Sequence, residues 1–281
     1  MKNKMANLIL ITIFIGGMSI LLYPYVSNYV AQHNVVEGAV QYEQAVQGMD
    51  QEDITSAWRQ AVMYNENLKG DPVHDPFVAG SGMALPENYT SVLNIGDGIM
   101  GYVSIPGIHV YLPIRHGTSD EVLSEGVGHV EQTMLPIGGE GSHCVLTAHT
   151  GFTKAELFTH LTEVAEGDKF YLYVLDRTLT YQVDQIEIIL PEEIEKLRPV
   201  EGEDYVTLVT CTPYGVNSHR LLVRGTRIPN DEEVSHNSMG TKFPWRIIMI
   251  AAICLVILLL MIFLSRRKKR STPAAGANSP S

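Results

Sequence analysis

A chain of 281 residues with 45% hydrophobic side chains can bury one substantial core and still have length to spare. Its formal net charge of −11 hides an uneven split: nine of the 20 Lys and Arg lie outside residues 35–240, which hold the other 11 together with all 31 acidic side chains, a net of −20. A field of that sign repels phosphate backbones and argues against nucleic acid as a partner.

The spare length sits at the two ends. Leu8 to Tyr23 is nearly all apolar and follows Lys2 and Lys4. Leu21-Leu22-Tyr23-Pro24-Tyr25 follows where a small-x-small cleavage site would stand, so residues 1–26 read as an uncleaved membrane anchor in preference to a cleaved signal peptide. Residues 27–69 follow a helical pattern, with Ile54, Trp58 and Val62 recurring at three-to-four spacing and Asp50 with Asp53 marking a helix start. Gly70 ends that pattern. In residues 70–80 the run Asp71-Pro72-Val73-His74-Asp75-Pro76-Phe77 holds two Asp-Pro steps, which disfavour helix and sheet alike and predict a stiff, extended loop.

Residues 81–230 carry the β signals. After a turn-rich stretch to Met100, strands are predicted at Tyr102 to Ile105, His109 to Ile114, His143 to Ala148, Lys169 to Leu175, Leu179 to Leu190, Tyr205 to Cys211 and Arg220 to Ile228. Thr153 with Glu156 three residues on forms a capping box, which predicts a helix from Lys154 to about Val164. Many short strands parted by turns indicate an antiparallel-rich barrel or sandwich. A linker, 231–244, leads to a second span candidate at 245–265, whose run Ile247 to Leu264 is unbroken and apolar with Trp245 at its edge. Arg266-Arg267-Lys268-Lys269-Arg270 reads as a stop-transfer flank, which sets both termini in the cytoplasm and the middle of the chain outside; the Ser-, Pro-, Ala- and Gly-rich tail to Ser281 is expected to be disordered.

Three cysteines, Cys144, Cys211 and Cys254, show no disulfide framework. Ten histidines form no metal-ligand spacing, so no metal and no cofactor is expected. Cys211 closes the strand from Tyr205, and Pro213, Gly215 and Asn217 then turn the chain into the strand that opens with Arg220. A cysteine at one strand end can thus meet an arginine at the start of the next, and a permanent cation favours thiolate over thiol. A strand-end cysteine is more often a small core residue. Here His149 also ends an apolar strand beside Thr150-Gly151.

The run Thr-Leu-Val-Thr-Cys-Thr-Pro-Tyr-Gly-Val-Asn-Ser-His-Arg-Leu-Leu-Val-Arg-Gly, with His149 upstream, resembles the sortases, cysteine transpeptidases of Gram-positive cell surfaces, and within them the class C, pilin-polymerising branch. Leu112-Pro113-Ile114-Arg115-His116-Gly117-Thr118 and Gly126-Val127-Gly128-His129 resemble it too. The resemblance covers about Tyr42 to Ile228 and implies a mainly β, closed barrel of about eight strands with short helices. It implies Cys211 as nucleophile, His149 as proton-transfer partner and Arg220 as stabiliser of the oxyanion. It further implies that Asp75-Pro76-Phe77 is a lid, Asp75 pairing with Arg220 and Phe77 packing over Cys211. The implied substrates are surface or pilin proteins with a C-terminal sorting signal close to Leu-Pro-x-Thr-Gly, cleaved between Thr and Gly, and the implied acceptor is a pilin lysine. Two other readings remain: a housekeeping sortase that attaches proteins to the cell wall, and an anchored, non-catalytic adhesion module. One departure stands out, since Ala148-His149-Thr150-Gly151 replaces the usual Gly-His-Arg-Gly and removes a basic neighbour from the histidine.

Overall fold

A computed structural model describes residues 2–68, 88–96, 98–230 and the helical positions 245, 248–250, 252–254, 256–258 and 260. The chain divides into two units, Met1–Tyr29 with Lys242–Ser281, and Val30–Thr241. Asp75 and Phe77 lie outside the described residues, as do the linker 231–244 and the basic run after Ser265. Helix α1 (Lys2–Gln47) begins in the first unit and contains, from Ile11, the one helix among the described residues long and apolar enough to cross a membrane. The expected second span is described only as a shorter apolar helical stretch, Ile248–Leu258.

The second unit is a barrel clasped by helices. The helical region expected over 27–69 is two helices, because the chain breaks between Gln47 and Gln51. Asp50 there takes an extended backbone, and its carboxylate accepts from the Asp53 amide at 2.8 Å, capping α2 (Gln51–Asn67) as the acidic pair predicts. Helix α1 buries Ala39, Tyr42 and Val46; α2 buries Ile54, Ala61 and Tyr64. The Tyr42 hydroxyl donates to the Met100 carbonyl at 3.1 Å and accepts from the Leu175 amide at 2.9 Å, tying the helix to one strand and to the turn at Leu175.

Eight strands form the closed barrel: β1 (Ile99–Ile105), β2 (Val110–His116), β3 (Val127–His129), β4 (Ser142–Thr147), β5 (Lys169–Val174), β6 (Arg177–Ile189), β7 (Asp204–Thr212) and β8 (His219–Ile228), in the spatial order β1-β2-β3-β4-β7-β8-β6-β5. The pairs β2 with β3 and β4 with β7 are parallel; the rest are antiparallel. Alternation fixes what each strand buries. On β5, Phe170, Leu172 and Val174 point inward while Tyr171 and Tyr173 are only half-buried. On β7, Val206 and Leu208 join the barrel core, whereas Val209 belongs to a separate apolar cluster with Val130, Val145, Ile189, Leu197 and Leu222. That second cluster marks an outer face of β4, β7, β8 and β6, covered by the loop between β6 and β7 through Leu197.

Two helix expectations need correction. No α-helix forms over 154–164; the segment is turns and a short 3-10 turn at Leu161–Glu163. The Phe158 amide donates to the His149 carbonyl at 3.1 Å, which removes it from a helical ladder, and Leu157 sits in the left-handed region at φ 43°. Phe158 and Leu161 are fully buried, so the segment acts as a plug beneath the end of β4. A short helix absent from the sequence reading, α3 (Asp120–Glu125), forms instead where the Ser119 hydroxyl accepts from the Val122 amide.

Candidate active site

The outer face of the barrel sets the three candidate residues in one row. Strands β7 and β8 are antiparallel with Cys211 directly opposite Arg220, so both side chains stand on the same face with Cα atoms about 5 Å apart. Strand β4 runs parallel to β7 with Thr147 opposite Val209. One residue on, the Ala148 amide donates to the Val209 carbonyl at 3.2 Å and the Thr210 hydroxyl donates to the Ala148 carbonyl at 2.8 Å. The same register carried one further step sets His149 level with Cys211, on the same side. Ile189 of β6 faces Arg220 and completes the line.

Each side chain has a distinct environment. Cys211 is partly exposed and not in a disulfide; Cys144 is buried, and burial pushes its thiol well above the ordinary range. Arg220 is only 8% exposed, and its Nη1 donates to the carbonyls of Asn217 and His219, each at 3.2 Å, binding the guanidinium to the loop between β7 and β8. His149 is half-buried and stacks on Phe152, ring centroids 5.6 Å apart at 21°. Burial lowers its pKa below the usual 6.5, and the carboxylate of Asp120 at the start of α3 pulls the other way. The arrangement offers a thiol, a titratable base and a fixed cation around one open spot, the parts that acyl transfer needs.

The covering loop is held by a residue with no sequence signal. His143, on β4 two positions before Val145, donates from Nδ1 to the Arg198 carbonyl at 3.0 Å and accepts from the Thr207 hydroxyl at Nε2, 2.7 Å. Burial lowers its pKa to about 4, so the imidazole stays neutral. A lone histidine in an apolar strand could not have been assigned this role from spacing. Among the described residues no three His, Cys, Asp or Glu side chains converge as metal ligands. A cavity of about 570 Å³ lined by Trp58, Arg177, Asp204 and Arg227 lies at the start of β7 and the end of β8, the opposite end from Cys211 and Arg220.

Known proteins share both the sequence and this architecture. The family profile described as Sortase domain matches residues 103–228. Sortase A of Bacillus anthracis is 25% identical over 224 residues, 80% of this chain and 95% of its own length. Among solved structures, Streptococcus pneumoniae Sortase C is 44% identical with a TM-score of 0.64, covering 69% of this chain and 97% of that one. Sortase C-1 from Actinomyces oris is 47% identical, TM-score 0.61, over 64% and 99%. Streptococcus agalactiae Sortase C1 is 43% identical, TM-score 0.65, over 71% and 97%. The chain belongs to the sortase family, in its class C branch. It is a cysteine transpeptidase.

Within this sortase the loss of the usual arginine after the histidine has a visible setting. Thr150 stands in its place, and the aromatic ring of Phe152, two residues further, lies against the imidazole. The His149 pocket is therefore shaped by an apolar neighbour where a basic one is usual.

Proposed function

We propose that this sortase cleaves a Leu-Pro-x-Thr-Gly-like sorting signal between Thr and Gly and passes the acyl group to a lysine of a pilin subunit, from a membrane-anchored position outside the cell. The observation that carries the reading is Cys211 opposite Arg220 across β7 and β8, with His149 two residues past the end of β4 on the line of its register. The pilin substrate specificity named for the Streptococcus pneumoniae relative supports the substrate class. The apolar helix from Ile11 is consistent with a membrane anchor, and the second anchor is proposed from the apolar run Ile247 to Leu264 with its basic flank.

The residues divide the chemistry as follows. The Cys211 thiolate attacks the Thr carbonyl carbon, and the oxyanion that forms is held by the Arg220 guanidinium. Protonated His149 gives its proton to the departing Gly amine as the C–N bond breaks, leaving a thioester on Cys211. Neutral His149 then takes a proton from the incoming lysine amine, which attacks the thioester. The thiolate leaves and an isopeptide bond remains. Asp75 and Phe77 belong to the same reading as a lid that substrate must displace.

Incubating the full-length protein in detergent with a Leu-Pro-x-Thr-Gly peptide tests this. Intact-mass measurement should find an acyl adduct on wild type and none on Cys211→Ala. Absence of the adduct in wild type, with the peptide uncleaved, would overturn the proposed Leu-Pro-x-Thr-Gly-like signal. Adding a pilin lysine peptide or a wall-type amine in separate arms identifies the acceptor, and preference for the wall-type amine would favour the housekeeping reading.

A further inference from the structure

The two segments that carry the reacting groups are tied at Ala148 to Val209 and Thr210, and beyond those bonds an aromatic ring lies between them. The loop after Cys211 is a tight turn, in which the amides of Val216 and Asn217 both donate to the Pro213 carbonyl at 3.0 and 2.9 Å. Arg220 reaches back to Asn217 and His219 of the same connection. Cys211 and Arg220 thus flank one hydrogen-bonded turn and stand opposite each other across it. On the other side, His149 is fixed by its own carbonyl, which accepts from Phe158, and Gly151 by its amide, which donates to the Thr159 hydroxyl at 3.0 Å. The strand pairing between β4 and β7 ends before either reacting residue. Beyond it, the ring of Tyr214 crosses to Gly151.

The contact is one that only glycine permits. A Cβ at position 151 would lie 2.8 Å from Tyr214 Cε2 and 3.0 Å from Cζ, closer than carbon atoms tolerate. Gly151 also has φ +68°, a backbone conformation that costs a side-chain-bearing residue strain. Tyr214 itself is 69% exposed, so the ring contributes little buried area to the barrel. An exposed aromatic seated on a bare backbone, three residues after Cys211 and two after His149, has a weak stability role and a strong geometric one.

We propose that Tyr214 is a positioning residue: by resting on the bare face of Gly151 it fixes the spacing between His149 and the Cys211–Arg220 turn. This rests on the assignment of His149 and Cys211 as the proton-transfer pair. Misplacement of reacting groups by about 1 Å can cost about 10²-fold in rate. The ring, not the hydroxyl, makes the contact with Gly151.

Steady-state transpeptidation by the full-length protein in detergent tests it. Tyr214→Ala should lower kcat at least tenfold with KM changed by less than about twofold and the thermal midpoint nearly unchanged. Tyr214→Phe should restore kcat. Gly151→Ala should lower kcat in the same way, and the two substitutions should be non-additive, because the added methyl collides with a ring that Tyr214→Ala has already removed. Unchanged kcat in Tyr214→Ala, a rise confined to KM, or additive effects in the double variant would each overturn the proposal. Parallel assays of Cys211→Ala and His149→Ala separate the two levels: activity surviving in those variants refutes the assignment of the pair, whereas its loss there beside a normal Tyr214→Ala refutes the positioning role alone.

Discussion

Cys211 and Cys144 carry the same thiol and differ in everything around it. Cys144 is sealed in the core, where burial disfavours its thiolate, while Cys211 is partly open and paired across the strands with Arg220. Cys211→Ala should therefore abolish acyl-adduct formation, and Cys144→Ala should leave it, both read by intact mass. At Arg220 the charge alone is insufficient. Lysine keeps it but loses the planar fork that reaches the Asn217 and His219 carbonyls, so Arg220→Lys should lose about 10²-fold in turnover. His149 has its pKa lowered mainly by burial, and Phe152 covers one face of its ring. Phe152→Ala admits water there, so the acid limb of the pH–rate profile should move up toward 6.5; an unmoved limb would show that other groups bury the imidazole. The pairing of Cys211 with Arg220 was legible in the sequence because one strand-turn-strand run contains both. His143 was not, because its partners Arg198 and Thr207 lie 55 and 64 residues away.

At the scale of elements, seven of the eight strands were legible, β5 by its period-two alternation and β1 and β4 as short apolar runs buried on both sides, whereas the three-residue β3 was too short to leave a pattern. β5 and β7 match their expected limits to within a residue. The helix expected over 154–164 failed because a capping box is a local signal, and tertiary demand overrode it: Phe158 and Leu161 are anchors under the site, and the Phe158 amide serves His149. Where no such demand competes, the local signal holds. Asp50 caps α2 and leads into a first turn that also carries Glu52 and Asp53. Asp50→Ala should cost about 1 kcal/mol, read as a lowered thermal midpoint with transpeptidation at permissive temperature unchanged, since α2 contributes no reacting group.

Closure of the barrel is a property of the whole molecule, and sequence periodicity left barrel and sandwich open. What closes it is pairing between strands far apart in the chain, above all the parallel contact of β4 with β7, and no local pattern encodes a partner at that distance. The fold seals two histidines, His129 against Tyr89 and Met134 and His143 beneath the loop between β6 and β7. His129 is fully buried, accepts from the Tyr89 hydroxyl at Nδ1 and donates from Nε2 to the Met134 carbonyl, each at 2.9 Å. Its pKa is lowered to about 4 by burial, like that of His143. Both folded-state values lie below the unfolded value near 6.5, so between about pH 6.5 and 4 the unfolded chain binds more protons than the folded one. Stability is therefore fully present above that window and is lost as pH falls through it, by up to about 3 kcal/mol per histidine. Asp204, whose carboxyl is raised by burial, opposes the trend where it titrates, because its folded form holds a proton more tightly. The net expectation is a denaturation midpoint that drops steadily on acidification from pH 6.5. His143→Gln keeps a donor and an acceptor but cannot titrate, and it should flatten that slope by roughly half. A slope identical to wild type would mean that the loop held by His143 opens without cost, and that the face around Cys211 is less firmly walled than its hydrogen bonds imply.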